Sequence, residues 1–232
     1  PTAWQAVEYS GIQPGQLLAV VGVGPIGEMA VRVARQRGIE QIFAIDLVPE
    51  RLERARNLGV DVIDIGAAGS TQDVIDEVRR ATAGRGADAV IDAVGMEAHG
   101  SPGSAAVQRL TGLLPDALSA RLMKRAGVDR LAALHLAIDL VRRGGTVSIV
   151  GVYGGETDPL PMMTMFDKQI QLRMGQANVR HWVPDILPLL TDADPLGVDS
   201  FATHHLSLED APAAYEQFQQ KTDGAFKIVF RP

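Results

Sequence analysis

The stretch LLAVVGVGPIGEMAVRVARQRG, residues 17–38, decides the fold. Its first six residues, LLAVVG, form a short apolar run that predicts a buried strand over 17–22. Apolar residues at helical spacing follow, and Gly38 is a suitable C-terminal stop for that helix. A buried strand that turns through glycines directly into an amphipathic helix predicts the first half of a βαβ unit.

Three glycines join this strand to this helix. Gly22, Gly24 and Gly27 match the spacing G-x-G-x-x-G, in which the first glycine makes the tight turn and the second admits a pyrophosphate close to the backbone. The third lets the helix pack on the strand. Asp46 ends the next apolar run, near the roughly 20-residue offset of the pattern. Its carboxylate would accept hydrogen bonds from ribose hydroxyls and repel a 2′-phosphate, which predicts NAD rather than NADP.

The rest of the chain alternates strands with helices. Further strands are predicted over 41–46, 60–65, 87–95, 145–154 and 168–175, and further helices over 48–59 and 71–82, the second opened by a capping threonine. This alternation predicts an α/β fold with a doubly wound parallel sheet, the Rossmann fold. The stretch from Met96 to Arg143 is longer than one crossover needs, so we interpret about 96–128 as a helical insertion.

Composition narrows the class of partner. The 232 residues carry a net charge of −6, which disfavours nucleic acid and anionic membranes as the main partner. The chain has no cysteine, which excludes disulfides, thiolate zinc sites and a cysteine nucleophile. No apolar run approaches the roughly 18 residues that span a bilayer, and no signal peptide is visible, so we expect a cytoplasmic location.

Candidates for catalysis are few. The histidines are His99, His135, His181, His204 and His205. None occurs in an H-E-x-x-H or H-x-x-E-H pattern, and adjacent His204 and His205 would point to opposite faces of a strand. No serine has the strand–turn–helix setting of a hydrolase nucleophile. From the residues, a non-catalytic NAD-binding module and a methyltransferase using S-adenosylmethionine stay open beside a dehydrogenase.

Several motifs together resemble one family. The segments PTAWQAVEYSGIQPGQLLAVVGVGPIGEMAVRVARQRG, RRGGTVSIVGVYGG and ATHHLSLEDAPAAYEQFQQKTDGAFKIVFRP are similar to the coenzyme domain and the C-terminal segment of zinc-dependent alcohol dehydrogenases, in the medium-chain dehydrogenase/reductase superfamily. The segment IDAVGMEAHG, followed by the long insertion, resembles the glutathione-independent formaldehyde dehydrogenase branch. The resemblance covers essentially the whole chain.

The resemblance implies a set of cofactor-binding residues. It implies that the pyrophosphate lies against Gly22, Gly24, Pro25, Ile26 and Gly27. It implies that the adenosine ribose lies by Asp46 and Arg51, and that a basic residue, Lys227, reaches the phosphates. It implies that the cofactor and its nicotinamide pass along Val94, Gly95, Gly151, Val152 and Tyr153.

The resemblance also implies how the chain is divided and what it does. Residues 10–195 would form the NAD-binding domain, and 1–9 and 196–232 would be remnants of a catalytic domain that dock poorly. In the family an N-terminal domain carries the zinc ligands, so this chain would hold no catalytic residue and no metal ligand and would be inactive alone as a truncated product. The parent reaction would be hydride transfer between an alcohol or aldehyde hydrate and NAD, in a homo-oligomer.

Overall fold

The computed structural model describes residues 1–95, 131–153, 160–220 and 222–232. Its strands are β1 (Leu17–Val21), β2 (Gln41–Asp46), β3 (Asp61–Asp64), β4 (Ala87–Asp92), β5 (Val141–Ile149), β6 (Gln171–Met174), β7 (His204–Ser207) and β8 (Ile228–Arg231). Its helices are α1 (Thr2–Ser10), α2 (Pro25–Gln36), α3 (Pro49–Asn57), α4 (Thr71–Ala81), α5 (Ala132–Leu140), α6 (Met162–Lys168), α7 (Val179–Ile186) and α8 (Ala211–Gln220). The predicted insertion over about 96–128 falls within 96–130, which lies outside the described residues.

Strands β1 to β6 form one parallel sheet in the order β3-β2-β1-β4-β5-β6, and β7 pairs with β8 in a separate two-stranded sheet. Every residue of β1 is buried, as a central parallel strand covered by helices on both faces requires. From β1 the chain first adds β2 and β3 on one side, and then returns to add β4, β5 and β6 on the other side. The direction in which strands are added therefore reverses between β1 and β4, which are neighbours in the sheet. The predicted doubly wound α/β fold is therefore confirmed.

Two apolar clusters cover the two faces of the sheet. One contains buried side chains of α1, α2 and α3, and the other contains those of α4 and α5. The predicted helix spacing explains this, because Ala30, Val33 and Ala34 of α2 are at most 2% exposed and lie on one stripe. Burial of these stripes supplies the main favourable contribution to folding.

Residues 1–9 do not dock poorly, so that expectation is wrong. Helix α1 buries Ala3, Trp4 and Val7 in the first cluster. The fully buried amide of Gln5 donates to the carbonyls of Gly175 and Gln176 at 3.2 and 3.1 Å. The same side chain accepts hydrogen bonds from the Asn178 backbone and the Trp182 indole, so α1 is fixed to α7 and to the end of β6.

The C-terminal segment docks through a few buried side chains. Leu196, Ala214 and Phe226 are at most 4% exposed, whereas Tyr215 is 72% exposed. Whether 1–9 and 196–232 derive from a separate catalytic domain stays a prediction.

Several predicted bounds differ from the structure: the strand predicted over 168–175 is shorter, because Lys168 ends α6 and β6 covers only Gln171–Met174. Strand β5 begins at Val141 rather than Gly145, because its pairing with β4 continues past a register irregularity between Ala87 and Ala89. Ser70, not Thr71, caps α4, since its hydroxyl accepts a hydrogen bond from the Asp73 backbone. Across the described residues, no helix combines the length and apolarity that crossing a bilayer would need.

Candidate functional site

A cleft of about 870 Å³ opens at the carboxyl ends of β1, β2 and β4. One wall belongs to the large sheet and its helices, and the other to the C-terminal segment. The predicted cofactor residues that line this cleft are Gly22, Gly24, Pro25, Ile26, Asp46, Arg51, Val94 and Lys227. Crevices at this edge of an open parallel sheet, where the strand order reverses, are where such folds bind ligands.

The glycine turn forms the floor of the cleft. Gly22 has a φ of 82°, and its N–H donates to the Ile45 carbonyl at 2.8 Å, which ties the turn to β2. A Cβ on Gly27 would lie 1.9 Å from the carbonyl oxygen of Gly22, so a side chain there would push α2 away from β1. Gly27 therefore lies behind the turn and does not line the cleft.

Helix α2 begins at this turn with unpaired donors. Gly24 is its N-cap, Pro25 is its first residue, and the first helical hydrogen bond runs from Glu28 N to Gly24 O at 2.8 Å. The N–H groups of Ile26 and Gly27 precede that bond and have no intrahelical partner. Together with the partial positive charge of the helix end, they offer a binding site for an anion.

Asp46 connects the glycine turn to the end of β2. Its carboxylate, 7% exposed, accepts hydrogen bonds from Val23 N at 2.7 Å on one oxygen and from Leu47 N and Val48 N at 2.7 and 3.0 Å on the other. Arg51 Nη1 lies 3.8 Å from the same oxygen that Val23 contacts. A carboxylate has about four acceptor positions, so Asp46 can accept further hydrogen bonds from hydroxyl groups in the cleft.

The opposite wall is aromatic and basic. Tyr215 and Phe218 of α8 line the cleft together with Phe230 of β8, whose ring stacks on that of Tyr215 with centroids 6.4 Å apart. Lys227 is exposed in the cleft, and its backbone is fixed by Thr203, which donates its N–H to the Lys227 carbonyl at 2.8 Å. These aromatic residues were not predicted from the sequence, although Tyr215 and Phe218 stand three residues apart, on one side of a helix.

A buried charge network anchors this second wall. The Glu28 carboxylate, 1% exposed, accepts hydrogen bonds from Arg32 and from Arg54, the latter at 2.6 Å from Nε. Arg32 also donates to the carbonyls of Leu196 and Gly197 at 3.1 and 2.8 Å. The guanidinium of Arg54 lies over the ring of Phe226, 4.1 Å from its centroid, and Phe226 immediately precedes Lys227.

The other predicted residues form a separate group beside the cleft. Gly95, Gly151, Val152 and Tyr153 lie at the ends of β4 and β5 and do not line it. Tyr153 is half-buried, and its hydroxyl donates to Oδ2 of Asp92 at 2.5 Å. Asp92 was not predicted from the sequence, where its signal is an acidic residue inside the apolar run AVIDAV.

Asp92 and Tyr153 influence each other's ionisation. Burial raises the pKa of Asp92, and hydrogen bonds from Tyr153, Val94 and Gly95 oppose that rise. Burial also raises the pKa of Tyr153, and the charge of Asp92 raises it further. The Tyr153 hydroxyl therefore stays protonated and acts as a donor.

No metal site is found among the described residues, where no three His, Asp or Glu side chains converge. The exposed fractions along β7 alternate, as expected if His204 and His205 face opposite sides. His204 Nδ1 lies 2.9 Å from the Thr203 hydroxyl, and His204 Nε2 lies 3.2 Å from Gln217 Nε2. Both ring nitrogens therefore contact other side chains of the protein, and these do not form a set of metal ligands.

Comparison with known proteins gives consistent results. The family model described as zinc-binding dehydrogenase matches residues 25–108. A zinc-type alcohol dehydrogenase-like protein of Bacillus subtilis is 31% identical over 100% of this chain and 56% of its own length. A Mycobacterium tuberculosis protein named as a zinc-binding alcohol dehydrogenase is 34% identical over 100% of this chain and 49% of its own length.

A solved structure extends this similarity to three dimensions. The alcohol dehydrogenase of Thermus sp. ATN1 superimposes with a TM-score of 0.75 and 32% identity, over 100% of this chain and 55% of that one. The chain thus spans about half the length of the relatives that it matches.

Proposed function

We propose that this chain, which is similar over its whole length to zinc-type alcohol dehydrogenases, binds NAD(H) in its cleft and forms the cofactor-binding portion of an alcohol or aldehyde dehydrogenase. The reaction proposed for the whole enzyme is hydride transfer between an alcohol or aldehyde hydrate and NAD. The convergence of the glycine turn, the start of α2 and Asp46 on one cleft carries this proposal.

The chemistry of the cleft fits a dinucleotide. Gly22 and Gly24 leave the floor free of side chains, and the N–H groups of Ile26 and Gly27 would donate to the pyrophosphate. Pro25, at the first position of the helix, removes no donor that the helix would otherwise use. Lys227, on the opposite wall, would add a positive charge near the phosphates.

Asp46 and Arg51 would bind the adenosine ribose. The three backbone hydrogen bonds to Asp46 hold its carboxylate in place, and its remaining acceptor positions would receive the ribose hydroxyls. A 2′-phosphate would bring negative charge against this carboxylate, so we propose a preference for NAD over NADP. Arg51, at 3.8 Å from Asp46, reduces that repulsion without removing it.

The nicotinamide would lie at the ends of β4 and β5. Val94 lines the cleft, and Gly95, Gly151, Val152 and Tyr153 lie beside it at the ends of the same strands. The bound NAD would supply the hydride acceptor, while these residues exclude water and orient the ring. Among the described residues we assign no ligand to zinc, since no set of side chains there converges on a metal site.

A non-catalytic NAD-binding module is the second candidate, because the same cleft would hold the nucleotide in a protein that catalyses no reaction. Both candidates predict that this chain alone shows no turnover with NAD, zinc and short alcohols. Restored turnover when the chain is joined to a metal-binding domain of a relative would favour the dehydrogenase.

Calorimetric titration with NAD, NADP and S-adenosylmethionine tests the proposal. We expect NAD to bind, NADP to bind more weakly and S-adenosylmethionine not to bind. Binding of S-adenosylmethionine in preference to NAD, or no binding of either nucleotide at millimolar concentration, would overturn it.

We also propose a homo-oligomer and a cytoplasmic location. Strand β6 is the edge of the large sheet, with Met174 59% exposed, and an edge strand of this kind can pair with a second copy. Light scattering after size-exclusion chromatography would test the assembly, and cell fractionation would test the location.

A further inference from the structure

We propose that Asp92 is a positioning residue, which holds the ends of β4 and β5 in the shape that receives the nicotinamide half of the cofactor. The inference rests on the proposed function, because it assigns a task to residues beside the same cleft. It concerns a side chain that does not itself line the cleft.

Asp92 bonds to the chain segments that follow both strands. It is the last residue of β4 and is 0% exposed. One carboxylate oxygen accepts hydrogen bonds from Val94 N and Gly95 N at 3.0 and 3.3 Å, and the other accepts the Tyr153 hydroxyl. Its backbone carbonyl accepts two more, from the N–H groups of Val150 and Gly151, both at 3.0 Å.

The two segments that Asp92 joins touch each other through their backbones. A Cβ on Gly95 would lie 2.4 Å from Val152 N, and a Cβ on Gly151 would lie 2.2 Å from Gly95 N. No side chain fits between them. Since Val152 is 79% exposed and the Tyr153 hydroxyl is bonded to Asp92, the outward surface here is backbone and one small apolar side chain.

This surface continues the cleft in the direction of the nicotinamide. The pyrophosphate site is at the end of β1, and Asp46 lies on the β2 side of it, so the other half of a dinucleotide must extend toward β4 and β5. Val94 connects this surface to the cleft, because it lines the cleft and its backbone N–H donates to the Asp92 carboxylate.

An ordinary Asx turn, as at Asp64, explains the hydrogen bonds from Val94 N and Gly95 N but not the third one, from the Tyr153 hydroxyl. No cationic side chain among those described forms an ion pair with Asp92, so its buried carboxyl group is held by hydrogen bonds. The Asp92 carboxylate accepts three hydrogen bonds at once, and these join the end of β4 to the segment that contains Tyr153. Rigid support of this kind around a binding surface preserves the geometry that a ligand needs.

The substitution Tyr153→Phe tests the proposal, because it removes one hydroxyl and keeps the ring. Calorimetry would measure the affinity for NADH and for ADP-ribose, which lacks the nicotinamide. We expect the affinity for NADH to fall about tenfold, equivalent to about 1.4 kcal/mol, and that for ADP-ribose to change less than about twofold. The matched control Tyr9→Phe, on α1 beneath Arg173, should change neither.

A second variant tests whether the two residues act together. Asp92→Asn replaces one acceptor oxygen by a donor, and we expect it to lower the affinity for NADH at least as much as Tyr153→Phe. In the double variant the effects should not add, since both changes break the same link.

The outcomes separate the two proposals. Additive effects, or an equal fall for NADH and ADP-ribose in folded variants, would overturn the role of Asp92 and leave the NAD site intact. If the unchanged chain binds neither NADH nor ADP-ribose, the proposed function is overturned and this inference with it.

Discussion

The guanidinium of Arg54 pairs with the carboxylate of Glu28, with 2.6 Å between Nε and Oε2, and the Glu28 side chain is only 1% exposed. Glu28 stands on α2, directly after the glycine turn, whereas Arg54 also lies over Phe226 of the C-terminal segment. One buried carboxylate therefore joins the floor of the cleft to its opposite wall.

Glu28→Gln should destabilise the chain strongly. The substitution leaves two guanidinium groups without their charged partner, and breaking one side of a buried ion pair lowers the free energy of unfolding by about 3 kcal/mol. Urea unfolding would measure this change. The control Glu53→Gln removes a carboxylate that is 60% exposed from its pair with Arg56, and should change stability by less than about 0.5 kcal/mol.

Asp46→Asn should weaken NAD binding and reduce the preference over NADP. The amide loses one acceptor oxygen and the negative charge, so the affinity for NAD should fall about tenfold while that for NADP falls less. Titration of both nucleotides measures the ratio. Asp64→Asn is the matched control, since Asp64 ends β3 and accepts backbone hydrogen bonds from Gly66 and Ala67 in the same way outside the cleft lining. An unchanged ratio in Asp46→Asn would contradict the assignment.

Gly27→Ala should disturb both folding and binding. The new Cβ would lie 1.9 Å from the Gly22 carbonyl, so α2 must move away from β1 and the donors at its start must move with it. We expect a loss of about 3 kcal/mol in the free energy of unfolding, together with loss of NAD binding. In the control Gly69→Ala the nearest atom is a carboxylate oxygen of the exposed Asp73 at 3.1 Å, and both quantities should be nearly unchanged.

The stability of the sheet should fall in acid because of Asp88. Burial alone would raise the pKa of Asp88, but hydrogen bonds from Leu17 N and Arg142 and the charges of Arg142 and Arg85 bring it below its ordinary value. A carboxyl whose pKa is lower in the folded state contributes stability above its unfolded pKa and loses that contribution as the pH falls through the folded pKa. Unfolding midpoints should therefore decrease below about pH 4.

The variant Asp88→Asn isolates this effect. It should be less stable than the unchanged chain at pH 7, and the difference should shrink as the pH is lowered to about 3. Asp185→Asn, which removes an exposed carboxylate of α7, should keep the original pH profile. Parallel profiles for the unchanged chain and Asp88→Asn would exclude Asp88 as a source of the acid sensitivity.

The sequence predicted the parts of the molecule whose signals are local. Periodicity and the glycine spacing placed the six strands of the sheet, and the offset of Asp46 placed it on the cleft. The aromatic wall was not predicted, because Tyr215 and Phe230 reach the cleft only through long-range packing. Asp92 was missed for a related reason, since its partner Tyr153 lies 61 residues away. The packing of helix α1 was not expected, because it depends on hydrogen bonds from the buried amide of Gln5 to backbone carbonyls near residue 175, far away in the sequence.

The hydrogen bonds of Asp46 have a consequence for the thermodynamics of binding. Its carboxylate fixes the backbone of Val23, Leu47 and Val48, so under the proposed function little backbone would remain to be ordered on binding of a nucleotide. Preorganisation of this kind reduces the entropic penalty of association, and the affinity then depends mainly on the contacts formed.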